Sequence, residues 1–91
     1  MKEKIEKLIE LLQNVDFATF TKTEYGWSGS DDEIENLLCD IVITENGGVN
    51  YNAIRILAMY GYHIKPGEKD SFGWVTGVLW FQDKKHFIVF G

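Results

Sequence analysis

The sequence predicts an α+β domain: two to three helices packed on a small antiparallel sheet with a C-terminal β-hairpin. Three observations carry this. Ile5, Leu8, Ile9 and Leu12 recur at helical spacing near the start. A compact apolar segment at 50–60 stops at Gly61. Two apolar runs, 72–81 and 86–90, flank the polar turn Gln82-Asp83-Lys84-Lys85. The 91 residues, 45% hydrophobic and 14% aromatic, suffice for one domain with its own core and leave no room for two.

Each element has its own reason. Residues 2–14 read as an amphipathic helix with one narrow apolar stripe, which packs by a single face. Val15, Phe17, Thr19, Thr21, Thr23 and Tyr25 share one parity, and Thr and aromatic residues suit a pleated surface, so 15–27 reads as a strand. Gly26 to Ser30 is a polar loop carrying Trp27. Ser30-Asp31-Asp32-Glu33 has the spacing of a capping box, followed by Ile34, Leu37, Leu38 and Ile41. The spacing predicts a helix over 31–45 with its C-cap at Gly47 and Gly48. A rival strand at 37–44 rests on the β-branched run Ile41-Val42-Ile43-Thr44.

The helix at 50–60 has its core stripe at Ala53, Ile54, Leu57 and Ala58. Ile56, Met59 and Tyr60 carry the apolar surface most of the way round, so it is expected to be buried on more than one side. Tyr62-His63-Ile64 is a short extended piece, and Pro66-Gly67 within 65–69 fits a type II turn. Along 72–81 both parities are apolar, with Phe72, Trp74, Val78 and Trp80 on one and Leu79 and Phe81 on the other. Gly73 and Gly77 leave room there for a close approach. Both faces of this strand are expected to be covered, one by helices and one by a second layer or a partner. Trp74 and Trp80 are read as core.

Charge is uneven. Residues 1–50 hold eleven acids against four bases, a net of −7, and residues 51–91 hold five bases against three acids, a net of +2. A chain of net charge −5 is a poor match to phosphate, so a nucleic-acid partner is not expected. The single cysteine, Cys39, excludes an intrachain disulfide and fits a reducing compartment. The opening residues lack the continuous apolar stretch of a signal peptide, and no segment has the ~20 apolar residues of a membrane span. The expected location is cytoplasmic.

A search for chemistry finds no constellation. His63 and His86 have no metal-ligand spacing to one another or to Cys39. Cys39 has no neighbouring cation to favour a thiolate and reads as a small buried hydrophobe. Asp70 and Ser71 with either histidine supply the residue types of a hydrolase triad without a nucleophile elbow. Gly47-Gly48 is followed by no P-loop lysine. Asp31, Asp32, Glu33 and Glu35 read as a cap and a solvated face. No cofactor, metal or catalytic residue is assigned.

The stretch Gly61-Tyr62-His63 through Pro66-Gly67-Glu68-Lys69-Asp70-Ser71-Phe72-Gly73-Trp74-Val75-Thr76-Gly77, with the ending Phe87-Ile88-Val89-Phe90-Gly91, resembles small uncharacterised proteins of bacteria and their phages. The resemblance covers about the last third to half of the chain and is tied to no known chemistry. It implies a small accessory protein carried on a mobile element.

Three functional readings remain. The first is a non-enzymatic protein-interaction or regulatory protein, with Trp27, Asp31, Asp32 and Glu35 as candidate binding residues and another protein or a second copy as partner. The second is a winged-helix DNA-binding protein, in which Arg55 lies on the recognition helix and Lys84 and Lys85 at the wing tip. The third is a small enzyme with an unrecognised site.

Overall fold

The structure, a computed structural model, describes residues 2–44, 48–69 and 75–91. Helix α1 (Lys2–Gln13) buries the four residues of its predicted stripe, Ile5, Leu8, Ile9 and Leu12. The expected strand at 15–27 is broken. Phe17–Thr19 is a 3₁₀ turn, β1 is only Thr21–Lys22, and β2 is Trp27–Gly29. The reason is local. The Asp16 carboxylate accepts from the Ala18 amide at 2.9 Å, and the Thr19 hydroxyl donates to the Asp16 carbonyl at 2.8 Å. Such side-chain bonds offer the backbone an alternative to a ladder. A turn closed by the Thr23 amide on the Gly26 carbonyl, 2.7 Å, then brings β2 back on β1. Trp27 therefore begins a strand and does not ride in a loop.

Helix α2 (Asp32–Val42) settles the 31–45 ambiguity in favour of helix. Its cap is displaced by one residue from the expected box. Asp31, not Ser30, accepts from the N3 amide of Ile34 at 3.1 Å, and Glu35 reaches back to the Asp31 amide at 3.2 Å. The helix also stops short of the glycines. Ile43 is extended and bridges Val49, and the Thr44 amide bonds the Gly48 carbonyl at 3.0 Å. Gly47 lies outside the described residues.

Helix α3 (Tyr51–Met59) is capped by Asn50, whose side chain accepts from the Ala53 amide. It ends at Gly61, φ +91°, in a Schellman motif: the Gly61 amide bonds the Ala58 carbonyl at 2.9 Å and the Tyr62 amide the Leu57 carbonyl at 3.1 Å. Strand β3 (His63–Lys69) absorbs the segment expected to turn at Pro66-Gly67. Pro66 is accommodated because β3 is an edge strand with a register shift between Pro66 and Lys69. Strands β4 (Val75–Trp80) and β5 (His86–Phe90) form the predicted hairpin. Phe72, Gly73 and Trp74, expected in its first strand, lie outside the described residues.

Among the described residues five strands form one sheet in the order β1-β2-β5-β4-β3. The sheet is mixed, not purely antiparallel, because β2 pairs with β5 in parallel. Helices α1, α2 and α3 gather on one face, where Leu8, Ile34, Leu38, Ile41, Leu57, Leu79 and Ile88 are fully buried. Gly77 faces this core, and the Phe90 ring packs over it: an added Cβ would sit 2.5 Å from Phe90 Cζ. The close approach foreseen at this glycine is thus made by a phenyl ring. Trp80 is half-buried on the other face, its ring 4.7 Å from that of Phe87, with the exposed Val89 beside them. Trp80, read from the sequence as core, thus lies outside the core on the helix side.

Candidate functional site

Of the acids singled out in the sequence, Asp31, Glu33 and Glu35 are occupied by structural work. Asp31 caps α2, and Glu35 bonds the Asp31 amide and the Ser30 hydroxyl. Glu33 pairs with Lys7 at 3.2 Å and Asp40 with Lys4 at 3.5 Å, so two lysines of α1 lace it to α2. Asp32 makes no hydrogen bond or ion pair among the described residues. Exposed pairs of this kind contribute little stability, but they take away the open anionic face that the composition implied.

Trp27 is 36% exposed and sits elsewhere, at the far end of β2 from Asp31. Lys22 Nζ lies 5.4 Å from its ring centroid, and the His86 ring stacks beside it at 6.1 Å. His86 in turn stacks on Phe17 at 4.0 Å, and its Nδ1 bonds the Asp83 carboxylate. Desolvation works to raise the Asp83 carboxyl. It is outweighed by the amides of His86 and Lys85 and by the imidazole, which lower it to about 2. These contacts tie the β4–β5 turn to the rest of the sheet. The Lys85 carbonyl accepts from the Trp27 amide at 2.7 Å, and Lys84 takes φ +60°.

The residues of the DNA-binding reading are divided. Lys84 and Lys85 lie in this turn, which meets the C-terminal end of α3 through Gln82 Nε2 donating to the Tyr60 carbonyl at 2.7 Å. Arg55 lies further back along α3, exposed, and is the one base of that helix. Cys39 is half-buried. Burial raises its thiol, reinforced by the Asp40 and Glu35 carboxylates against a backbone hydrogen bond from Gly91. That is the opposite of thiolate activation. Asp70 and Ser71 lie outside the described residues. Among the described residues no three His, Cys, Asp or Glu side chains converge as metal ligands, and no helix is long and apolar enough to cross a membrane.

The feature that the sequence misplaced is the outer side of α3. Burial on several sides was expected, yet only Ala53 and Leu57 are fully buried. Tyr51, Met59 and Tyr60 are 62%, 84% and 51% exposed. Tyr51, Arg55 and Met59 follow one another at i, i+4 and i+8, a single solvent-facing stripe. Beside it runs a groove of about 470 Å³ between α1 and α3, floored by Ile5, Ile9, Ala53 and Ile56 and rimmed by Lys2 and Glu6. The all-round apolarity of 50–60 is the signal; it predicts burial on more than one side and does not say what covers the helix.

No protein-family model matches the chain, and comparison with curated proteins and with solved structures found no match.

Proposed function

We propose that the chain is a non-catalytic interaction or regulatory protein that engages another polypeptide through the α1–α3 face. One observation carries the reading: a nine-residue helix leaves Tyr51, Met59 and Tyr60 in solvent beside an apolar groove. Tyr, Met and Arg are the residues enriched at protein interfaces and at their hot spots, and all three types stand in this stripe. Of the acids first favoured as contacts, Asp31 and Glu35 are engaged within the chain and Asp32 alone is not, among the described residues, which moves the proposed interface from α2 to α3.

The test is photo-crosslinking in cells from a photoreactive residue placed at position 59, with position 89 on the opposite sheet face as control. Adducts to a defined polypeptide from 59 and not from 89 are expected. No adduct from 59, or the same adducts from both, refutes the reading.

A further inference from the structure

We infer that the cavity between the end of α1, Phe17 and the β4–β5 turn is a binding site for an alkylammonium group. It shares no lining residue with the α1–α3 groove, and the inference does not rest on that face.

The cavity has a volume of about 670 Å³, within the range of small-molecule sites. The last turn of α1 supplies Leu12 and Gln13, the segment that follows supplies Phe17, and the β4–β5 turn supplies Gln82 and Asp83. Tyr62 and Phe81 line it as well but are nearly buried. Phe17 is 41% exposed and is the ring that a ligand reaches. The His86 ring stacks on it at 4.0 Å. A ring stacked on one face and still so exposed keeps surface for a second partner.

The charge around the cavity has one sign. Asp83 is the only charged side chain among the described residues that line it. Lys84 and Lys85 follow it in the turn, and neither lines the cavity. Asp83 stays ionised throughout the neutral range. Helix α1 adds the negative end of its dipole, with no base in its last turn. Phe17 adds the negative face of an aromatic ring. A carboxylate, a helix C-terminus and an accessible ring together favour a cation with an apolar body. A bare metal ion is not served: among the described residues no three ligating side chains converge.

Hydrogen-bond capacity narrows the cation. A carboxylate offers about four acceptor positions. Asp83 Oδ1 uses two, for the amides of Lys85 at 2.8 Å and His86 at 3.0 Å, and Oδ2 uses one, for His86 Nδ1. One position remains, on Oδ2. A guanidinium fork engages both oxygens of a carboxylate at once, and Oδ1 is full. An ammonium needs one. Its other N–H groups can turn to the side-chain amide oxygens of Gln13 and Gln82. Gln82 Nε2 is held by the Tyr60 carbonyl at 2.7 Å, which leaves its oxygen as the end for a ligand. The same chemistry arrives as a free amine or as the lysine side chain of another polypeptide.

The test is an NMR titration of the isotope-labelled full chain with n-butylammonium, n-butanol and n-butylguanidinium at matched ionic strength. Saturable shifts are expected at the amides of Gln13, Phe17, Gln82 and Asp83. n-Butylammonium should bind at least about tenfold more tightly than n-butanol, and more tightly than n-butylguanidinium. Asp83→Asn keeps the shape of the side chain and should weaken ammonium binding about tenfold, with n-butanol unchanged. Phe17→Leu probes the opposite wall without touching the turn and should weaken it about threefold. A fourth probe, N-acetyl-lysine methylamide, separates the sources. Tighter binding than n-butylammonium supports a polypeptide's lysine, and the reverse order supports a free amine. n-Butanol or n-butylguanidinium binding as tightly as n-butylammonium overturns the inference. So does the absence of saturable shifts at these residues, or unchanged ammonium binding in both variants.

Discussion

Gly61→Ala perturbs the joint between α3 and β3, and its cost can be worked from three observations. Gly61 has φ +91°, where an L-residue costs about 1–2 kcal/mol. Its new Cβ would lie 2.5 Å from Gln82 Cγ and 2.8 Å from Gln82 Nε2. The glutamine can swing aside only by giving up its 2.7 Å bond to the Tyr60 carbonyl, an exposed neutral bond worth about 0.5–1.5 kcal/mol. Together these give a loss of about 2–3 kcal/mol, a large share of the ~5–10 kcal/mol expected of a domain this size. Urea denaturation followed by far-UV circular dichroism measures it. A double-mutant cycle separates the parts. Gln82→Ala alone should cost about 1 kcal/mol or less, and in that background Gly61→Ala should cost only the backbone part, about 1–2 kcal/mol. A Gly61→Ala protein within about 0.5 kcal/mol of wild type would refute the strain argument. Equal penalties in both backgrounds would refute the contact with Gln82.

Further outcomes follow from the caps and the turn. Asp31→Ala should lower stability by about 1 kcal/mol, while Ser30→Ala should change it by less than about 0.5 kcal/mol. Thermal melts of the two variants decide between the observed cap and the one-residue alternative. The Asp83 carboxyl titrates at about 2 in the fold against an ordinary 3.8, so its contribution is fully present above about pH 4–5 and is lost as pH falls toward 2. The carboxylate is 35% exposed, and screening reduces the contribution to about 1 kcal/mol. Urea midpoints from pH 2 to 6 should fall on acidification, and Asp83→Asn should flatten part of that slope.

What could be read from the sequence follows from how local each determinant is. The α1 stripe was legible because four residues at one period bury together. The β4–β5 hairpin was legible because its turn and both strands are contiguous. The span 15–27 was not, because Asp16 and Thr19 bond their own backbone and interrupt an alternation that still looks like one strand. The parallel pairing of β2 with β5 is a tertiary fact with no local trace. Pro66-Gly67 reads as a turn by composition, and only the edge position of β3 makes it a strand. For the site, residue type was visible and role was not. Asp31 and Glu35 were acids that could be cap or contact, and the one-residue shift of the cap decided it. Met59 and Tyr60 were correctly seen as apolar, but periodicity cannot say whether the surface that covers a helix belongs to the same chain.

The parallel pair has a consequence for how the chain is made. Strand β5 is central in the sheet, between β2 and β4, yet it is the last strand to be synthesised. Its partners in β2 precede it by roughly sixty residues of sequence. Until residues 86–90 leave the ribosome, β1–β2 and β3–β4 are two separate hairpins under an unfinished core, each too small to be stable alone. Without residues 86–90 the chain lacks both the strand that joins the two halves of its sheet and the Ile88 and Phe90 side chains of its core, so the two halves fold together or not at all.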